Sequence, residues 1–301
     1  MRLVMMESGG IAQAGVQLAS GDVVPIHTAI GSDRPLTVAE ILAGGPEMLE
    51  RIRAGVDNVE QSDWVPAQQV RLLPPVGTRE LVVCAGANYV SHLKEMGEDL
   101  PDKPAWFIKN SNSIVGPGDP IQLPPAFPDQ VDYEGELCIV IGRPCHGVSA
   151  ADAWDYIAGY TLLNDVSARD AFPGITAATT AIEGRWAWTD MLLGKQLPSF
   201  GPIGPVVVTA DEIGDPSSLQ LTTTVNDRIV QDASVSDLAV GIPELIEQFS
   251  EYFAFMPGDV ISTGTPSGVG AGMNPPVYLT DGDVVTVAVA GIGSLKNPVS
   301  R

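Results

Sequence analysis

The chain has 301 residues, with 37 Asp and Glu against 16 Lys and Arg, for a formal charge of −21. A surface of that sign repels phosphate backbones and anionic bilayers, which argues against nucleic-acid or membrane binding as its role. No apolar run reaches the length of a membrane span, and the N-terminus reads as lacking a charged-then-apolar signal. Apolar residues make up 45% of the chain, enough for a sizeable core, and the mean hydropathy is +0.15. The 32 glycines and 25 prolines favour many turns and short strands over a helical bundle. Cys84, Cys138 and Cys145 are an odd number without regular spacing, so they read as reduced thiols in a cytoplasmic protein.

In chain order, residues 1–75 read as a small α/β unit. A first strand (MRLVMM) precedes two strands around a Gly-Asp turn. Helical spacing then runs through LTVAEILAGGPEMLERIRAGV, with a break at Gly44–Pro46. Val70, Leu72 and Leu73 suit a short strand, and Pro74 and Pro75 mark a boundary. Residues 76–301 form the larger unit. It opens with the buried strand LVVC, a Gly86 turn and one or two helical turns over NYVSHLKEM. WFIK and IQLP follow as strands, ADAWDYIAGY as a helix feeding a strand, and residues 171–194 as irregular chain. From 205 onward short strands recur around one helix, PELIEQFSEYF. Its Leu245, Ile246, Phe249, Tyr252 and Phe253 make a core-facing stripe. The fold class is therefore mostly β with some α, an α+β chain with a rolled or barrel-like antiparallel sheet.

The chemistry centres on VDYEGELCIVIG (131–142) and GYTLLNDVSARD (159–170). Side chains alternate faces along a strand, so Asp132, Glu134 and Glu136 should point one way. Three carboxylates so placed repel one another, and either a proton or a cation must relieve them. Oxygen-only donors suit a hard divalent cation, Mg²⁺ or Mn²⁺. A solvated strand face is the bland alternative. It is weakened by the apolar CIVI that follows and by the second cluster at Asn164, Asp165 and Asp170. His92 and Glu95 are neighbours at i, i+3 on a helical turn, the spacing of an imidazole base and the carboxylate that orients it. A structural pair is the other reading. His27 and His146 read as surface residues. Lys195 matters only if it faces the carboxylates, and Arg169 is either a salt-bridge residue or an anion contact. TGTPSGVGAG (263–272) lacks the Gly-Lys-Ser/Thr ending of a nucleotide loop. Its backbone N–H groups and the Thr263 and Thr265 hydroxyls could still hold a carboxylate or an oxyanion, or the glycines could serve only a tight turn.

GANYVSHLKEMG, FIK, DYEGELCIVIG, GYTLLNDVSARD, GK with FGPIGP, and PGDVISTGTPSGVG resemble, in that order, the motifs of the fumarylacetoacetate hydrolase family. The likeness covers roughly residues 78–301. It implies a β-rich roll in a homodimer, around Mg²⁺ or Mn²⁺, with Ca²⁺ a possible stand-in within crystals. It places metal ligands on Glu134, Glu136 and Asp165, a His–Glu pair on His92 and Glu95, a catalytic lysine on Lys195 and a substrate contact on Thr265. Tyr89, Arg169, Phe172 and Gly264 complete the candidate substrate contacts. Asp132 falls outside the family's ligand set. Phe172 stands where many members carry a substrate-contacting glutamine, and the 171–194 segment is longer than usual. Phe172, Ile175, Trp186, Trp188 and Met191 are therefore expected to form a lid or wall that favours a larger, more apolar substrate. The activity the resemblance implies is hydrolysis of a C–C bond in a 1,3-dicarbonyl acid such as an acylpyruvate. The alternatives are decarboxylation, isomerisation or hydration of a 2-oxo or 2-hydroxy-dienoic dicarboxylate, and, in another class, a non-catalytic metal-binding protein.

Overall fold

Several of the long strands are near-continuous apolar runs buried on both faces, and clean period-two alternation is confined mainly to the C-terminal strands. The computed structural model describes residues 1–171 and 178–301 and has a mostly-β α+β fold. The strands β1 (Arg2–Ser8), β2 (Ile11–Gln17) and β3 (Val23–Pro25) form an antiparallel meander. Helices α1 (Ile26–Ile30), α2 (Val38–Ala43) and α3 (Gly45–Val56) follow, and the expected break falls at Gly44. The Thr37 side chain accepts from the Glu40 N–H while Glu40 reaches back to the Thr37 N–H, so a reciprocal cap starts α2. Next, β4 (Arg71–Leu73) returns to pair with β1.

Past Pro74 and Pro75 come β5 (Val82–Gly86), α4 (Val90–Met96), β6 (Ala105–Ile108), β7 (Ile114–Val115) and β8 (Ile121–Gln122). The acidic stretch becomes β9 (Val131–Asp132) and β10 (Gly135–Ile141), followed by β11 (Ile157–Asn164) and β12 (Ser167–Ala168). Then follow α5 (Ala181–Gly194), β13 (Gly201–Thr209), α6 (Ala210–Ile213), β14 (Gln220–Val225) and β15 (Arg228–Ser234). The chain ends with α7 (Ile242–Tyr252), β16 (Val260–Ser262), β17 (Val284–Val289) and β18 (Gly293–Ser300).

Among the described residues, an 11-stranded sheet runs β3-β2-β1-β13-β11-β10-β16-β5-β6, with β4 added at β1 and β7 at β13. The strands on either side of the 75/76 link thus share one sheet. A five-stranded sheet, β15-β14-β17-β18-β8, and a two-stranded ribbon, β12-β9, complete the roll. Along β10 the alternation separates two cores. Leu137, Ile139 and Ile141 enter one and Cys138 and Val140 the other. A third core, with Val131, Tyr133, Val166 and Phe200, lies near the ribbon.

Four local expectations need correction. Residues 181–194 are helical, started by Thr180 and Glu183 in a second reciprocal cap. The segment before β11 forms only a 3₁₀ turn, Ala153–Tyr156. On α7, Leu245, Ile246 and Phe249 are buried, but Tyr252 is exposed and stacks on Trp106, and Phe253 already lies in extended backbone. The helix ends before the stripe does. His146 is exposed, as expected, whereas His27 is half-buried.

Candidate metal centre

The start of β10 and the end of β11 meet in antiparallel register, Gly135 opposite Asn164. Asn164 Oδ1 accepts from the Glu134 N–H at 3.0 Å, and the Asp165 N–H donates to the Glu134 carbonyl at 2.8 Å. These bonds set Glu134, Glu136 and Asp165 around one point. All three are buried, and one oxygen of each lies within 4.8 Å of the others.

Asp132 does not join them. The strand breaks after it, because its carboxylate turns to backbone donors: Tyr133 N–H at 2.9 Å, Gly270 N–H at 2.7 Å and Ala271 N–H at 3.0 Å. It therefore pins the glycine-rich loop. Arg169 bridges the two groups, donating from Nε to Asp132 Oδ2 at 3.0 Å and from a terminal nitrogen to Glu134 Oε1 at 2.5 Å. Arg169 thus makes the ion pairs of the salt-bridge reading, and its role toward a bound anion stays a proposal.

Lys195 follows directly on α5. Its Nζ donates to Glu134 Oε2 at 2.8 Å, Asp165 Oδ2 at 2.6 Å and Ser167 Oγ at 2.8 Å. Lys109, in the FIK motif, follows directly on β6. Its buried Nζ lies 2.6 Å from Asp165 Oδ1 and donates to the Lys195 and Phe200 carbonyls at 2.7 and 2.8 Å. A lysine closing an apolar strand was the available signal.

The three acids differ electrostatically. Burial works to raise Glu134, but Lys195 and Arg169 outweigh it and hold this carboxyl below the usual range. Glu136 is pushed well above it, by burial and then by the charges of Asp165 and Glu134. The Ser262 hydroxyl donates to Glu136, with Cys138 Sγ donating in turn to Ser262 at 3.2 Å. A buried carboxylate beside two others, in an oxygen-only donor set, fits a hard divalent cation, which would let all three ionise together.

On α4, His92 Nδ1 lies 3.0 Å from Glu95 Oε2, and both side chains are largely buried. Glu95 Oε1 accepts from the Gly268 N–H at 2.9 Å, so the same carboxylate orients the imidazole and anchors the loop. Gly272 is tied to this arrangement, since a Cβ there would sit 2.4 Å from the Glu95 carboxyl carbon. The Thr265 hydroxyl donates to the Gly135 carbonyl at 3.0 Å and accepts from Gln231 Nε2 at 2.8 Å. Gly264 has φ +92° and packs against the Ala85 carbonyl and Asn88. Tyr89 is fully buried at the start of α4, where burial raises its phenol. Phe172 and Ile175 lie outside the described residues. Trp186 and Trp188 are exposed on α5, and Trp188 lines a surface groove with Trp106, Ile108 and Leu192. Ser167, Gln231 and Ser262, which touch site groups, also escaped the sequence reading.

Residues 81–300 match the model of the fumarylacetoacetate hydrolase C-terminal domain. The human mitochondrial oxaloacetate tautomerase FAHD2B is 36% identical over 301 residues, covering 99% of this chain and 91% of that protein. The structure of 2-hydroxyhepta-2,4-diene-1,7-dioate isomerase from Mycobacterium marinum is 34% identical, with TM-score 0.74 and coverage of 100% and 98%. Maleylpyruvate hydrolase from Sphingobium sp. SYK-6, solved with manganese(II) and pyruvate, is 26% identical, with TM-score 0.78 and coverage of 100% and 99%. The motif order, the buried acid trio and these full-length likenesses agree: the chain belongs to the fumarylacetoacetate hydrolase family of enzymes.

Proposed function

We propose that the protein interconverts the enol and keto forms of a small 2-oxo dicarboxylate of the oxaloacetate class. The observation that carries this reading is the convergence of Glu134, Glu136 and Asp165 beside the Lys195 ammonium. The full-length likeness to an oxaloacetate tautomerase supports tautomerisation over C–C hydrolysis as the first reading. Glu134, Glu136 and Asp165 would hold Mg²⁺ or Mn²⁺. The bound ion supplies Lewis acidity, which makes the carbon next to a 2-oxo group easier to deprotonate. Lys195, whose three N–H donors go to Glu134, Asp165 and Ser167 in this structure, supplies positive charge beside the site that would favour a developing enolate oxygen. A hydrogen bond from His92 Nδ1 to Glu95 leaves Nε2 as the basic nitrogen, suited to carry the proton between carbon and oxygen. The homodimer and cytoplasmic location belong to the same reading.

Hydrolysis of an acylpyruvate is the second reading. It is favoured by the His92–Glu95 pair itself, since an oriented base can also activate water.

One experiment separates the two. The Mn²⁺-loaded protein is given enol oxaloacetate and, separately, a series of acylpyruvates, and the ultraviolet absorbance is followed with and without EDTA. Fast metal-dependent ketonisation with slow acylpyruvate cleavage is expected. Cleavage that outruns ketonisation, and is lost in His92→Ala while Mn²⁺ binding persists, would install the hydrolase reading. No metal-dependent rate on either substrate would sink both.

A further inference from the structure

Gly135 joins Glu134, just before β10, to Glu136 within it, and its backbone orientation decides whether the two acids face one point. Both of its polar groups are held by side chains from elsewhere. The Gly135 N–H donates to Gln231 Oε1 at 3.0 Å, and the Gly135 carbonyl accepts from Thr265 Oγ1 at 3.0 Å. The same Gln231 amide donates from Nε2 to Thr265 Oγ1 at 2.8 Å and to the Pro266 carbonyl at 2.9 Å. Gln231 is buried, and Thr223, its cross-strand partner on β14, lies under Gly135, where a Cβ would come 2.1 Å from Thr223 Oγ1. One residue earlier on β15, the Val230 carbonyl would sit 2.0 Å from a Cβ at Gly268, so this strand also moulds the loop.

We infer that Gln231 is a positioning residue for the cation site: it holds the Gly135 peptide so that Glu134 and Glu136 face a single ion, and ties that peptide to the 263–268 loop. The inference rests on the metal-site reading above. The Gln231 side chain bonds to Gly135, Thr265 and Pro266 rather than to the three acids, so it acts through Gly135 and Thr265. Cation affinity and loop order are then one coupled property, because a single amide serves both.

The test is Mn²⁺ affinity by titration calorimetry on the purified chain. It compares wild type, Gln231→Met, Thr265→Val, the double variant, and Asn297→Ala as a control. Asn297 is buried in the same small sheet and holds the Gly116 and Asp119 carbonyls at 2.8 Å, with no bond to the acid strand. Gln231→Met should weaken Mn²⁺ binding about tenfold, the usual scale for groups that orient ligands. The double variant should be no weaker than the weaker single variant, because both break one clamp. Saturating Mn²⁺ should restore kcat in Gln231→Met. Asn297→Ala should lower Tm and leave affinity within twofold. Should Gln231→Met not fold, Thr265→Val reads the same clamp from the loop side. The inference is overturned if a folded Gln231→Met binds Mn²⁺ within twofold of wild type, or if Asn297→Ala weakens binding equally. Wild-type protein that binds no Mn²⁺ would overturn the metal-site reading itself, a separate result.

Discussion

Removing Lys109 should cost stability near the site. Its side chain is fully buried, and it serves Asp165 and two backbone carbonyls at once. Lys109→Met leaves those oxygens short of a donor, and breaking a buried pair costs about 3 kcal/mol. Urea denaturation in the presence of EDTA measures this, and a loss below about 1 kcal/mol would contradict the assigned role. Glu134→Ala should abolish Mn²⁺ binding and turnover together, whereas His92→Ala should keep the ion and lose proton transfer. Parallel calorimetry and kinetics check that split. At this scale the legible residues were those whose signal is local. Alternation paired Glu134 with Glu136, and helical spacing paired His92 with Glu95. Lys109 and Gln231 were illegible because their partners lie 86 and 96 positions away. The same alternation wrongly included Asp132, because backbone amides at 270 and 271 compete for its carboxylate and break the strand.

Helix α5 carries Lys195 on its C-terminal end, so its capping matters to the site. Thr180→Ala removes the side-chain acceptor for the Glu183 N–H and should cost about 1 kcal/mol. Thermal unfolding followed by circular dichroism checks this, with Thr37→Ala on α2 as a comparison of the same kind. A Thr180→Ala protein as stable as wild type would mean the cap contributes nothing there. The signal for this helix was present in the sequence as Thr180-x-x-Glu183. It was missed because Trp186, Trp188 and Gly184 leave no one-sided apolar stripe, and the helix lies largely on the surface. Most other elements were legible because glycines and prolines punctuate them. The segment before β11 has the apolar residues of a helix but only the length of a single 3₁₀ turn. The lid expected from 171–194 remains a proposal for α5, whose Trp186 and Trp188 are exposed to solvent.

At the scale of the molecule, the fold brings three chain segments, at 92–109, 131–169 and 195, to one buried cluster, with the 263–272 loop beside it. Sheet topology does this, since β5, β16, β10 and β11 are successive neighbours. The sequence disclosed the motifs and their order, but not that one sheet would run through both of its expected units. A ligand that binds only the folded state stabilises it, by about 2.7 kcal/mol at a hundred times its Kd. Mn²⁺ at that level should therefore raise Tm, and EDTA should reverse the rise; an unchanged Tm would count against a structured site. The most direct test is an anomalous difference map from crystals grown with Mn²⁺. The account predicts one dominant peak coordinated by Glu134, Glu136 and Asp165. A map with no peak there, with Lys195 still bridging Glu134 and Asp165, would contradict it.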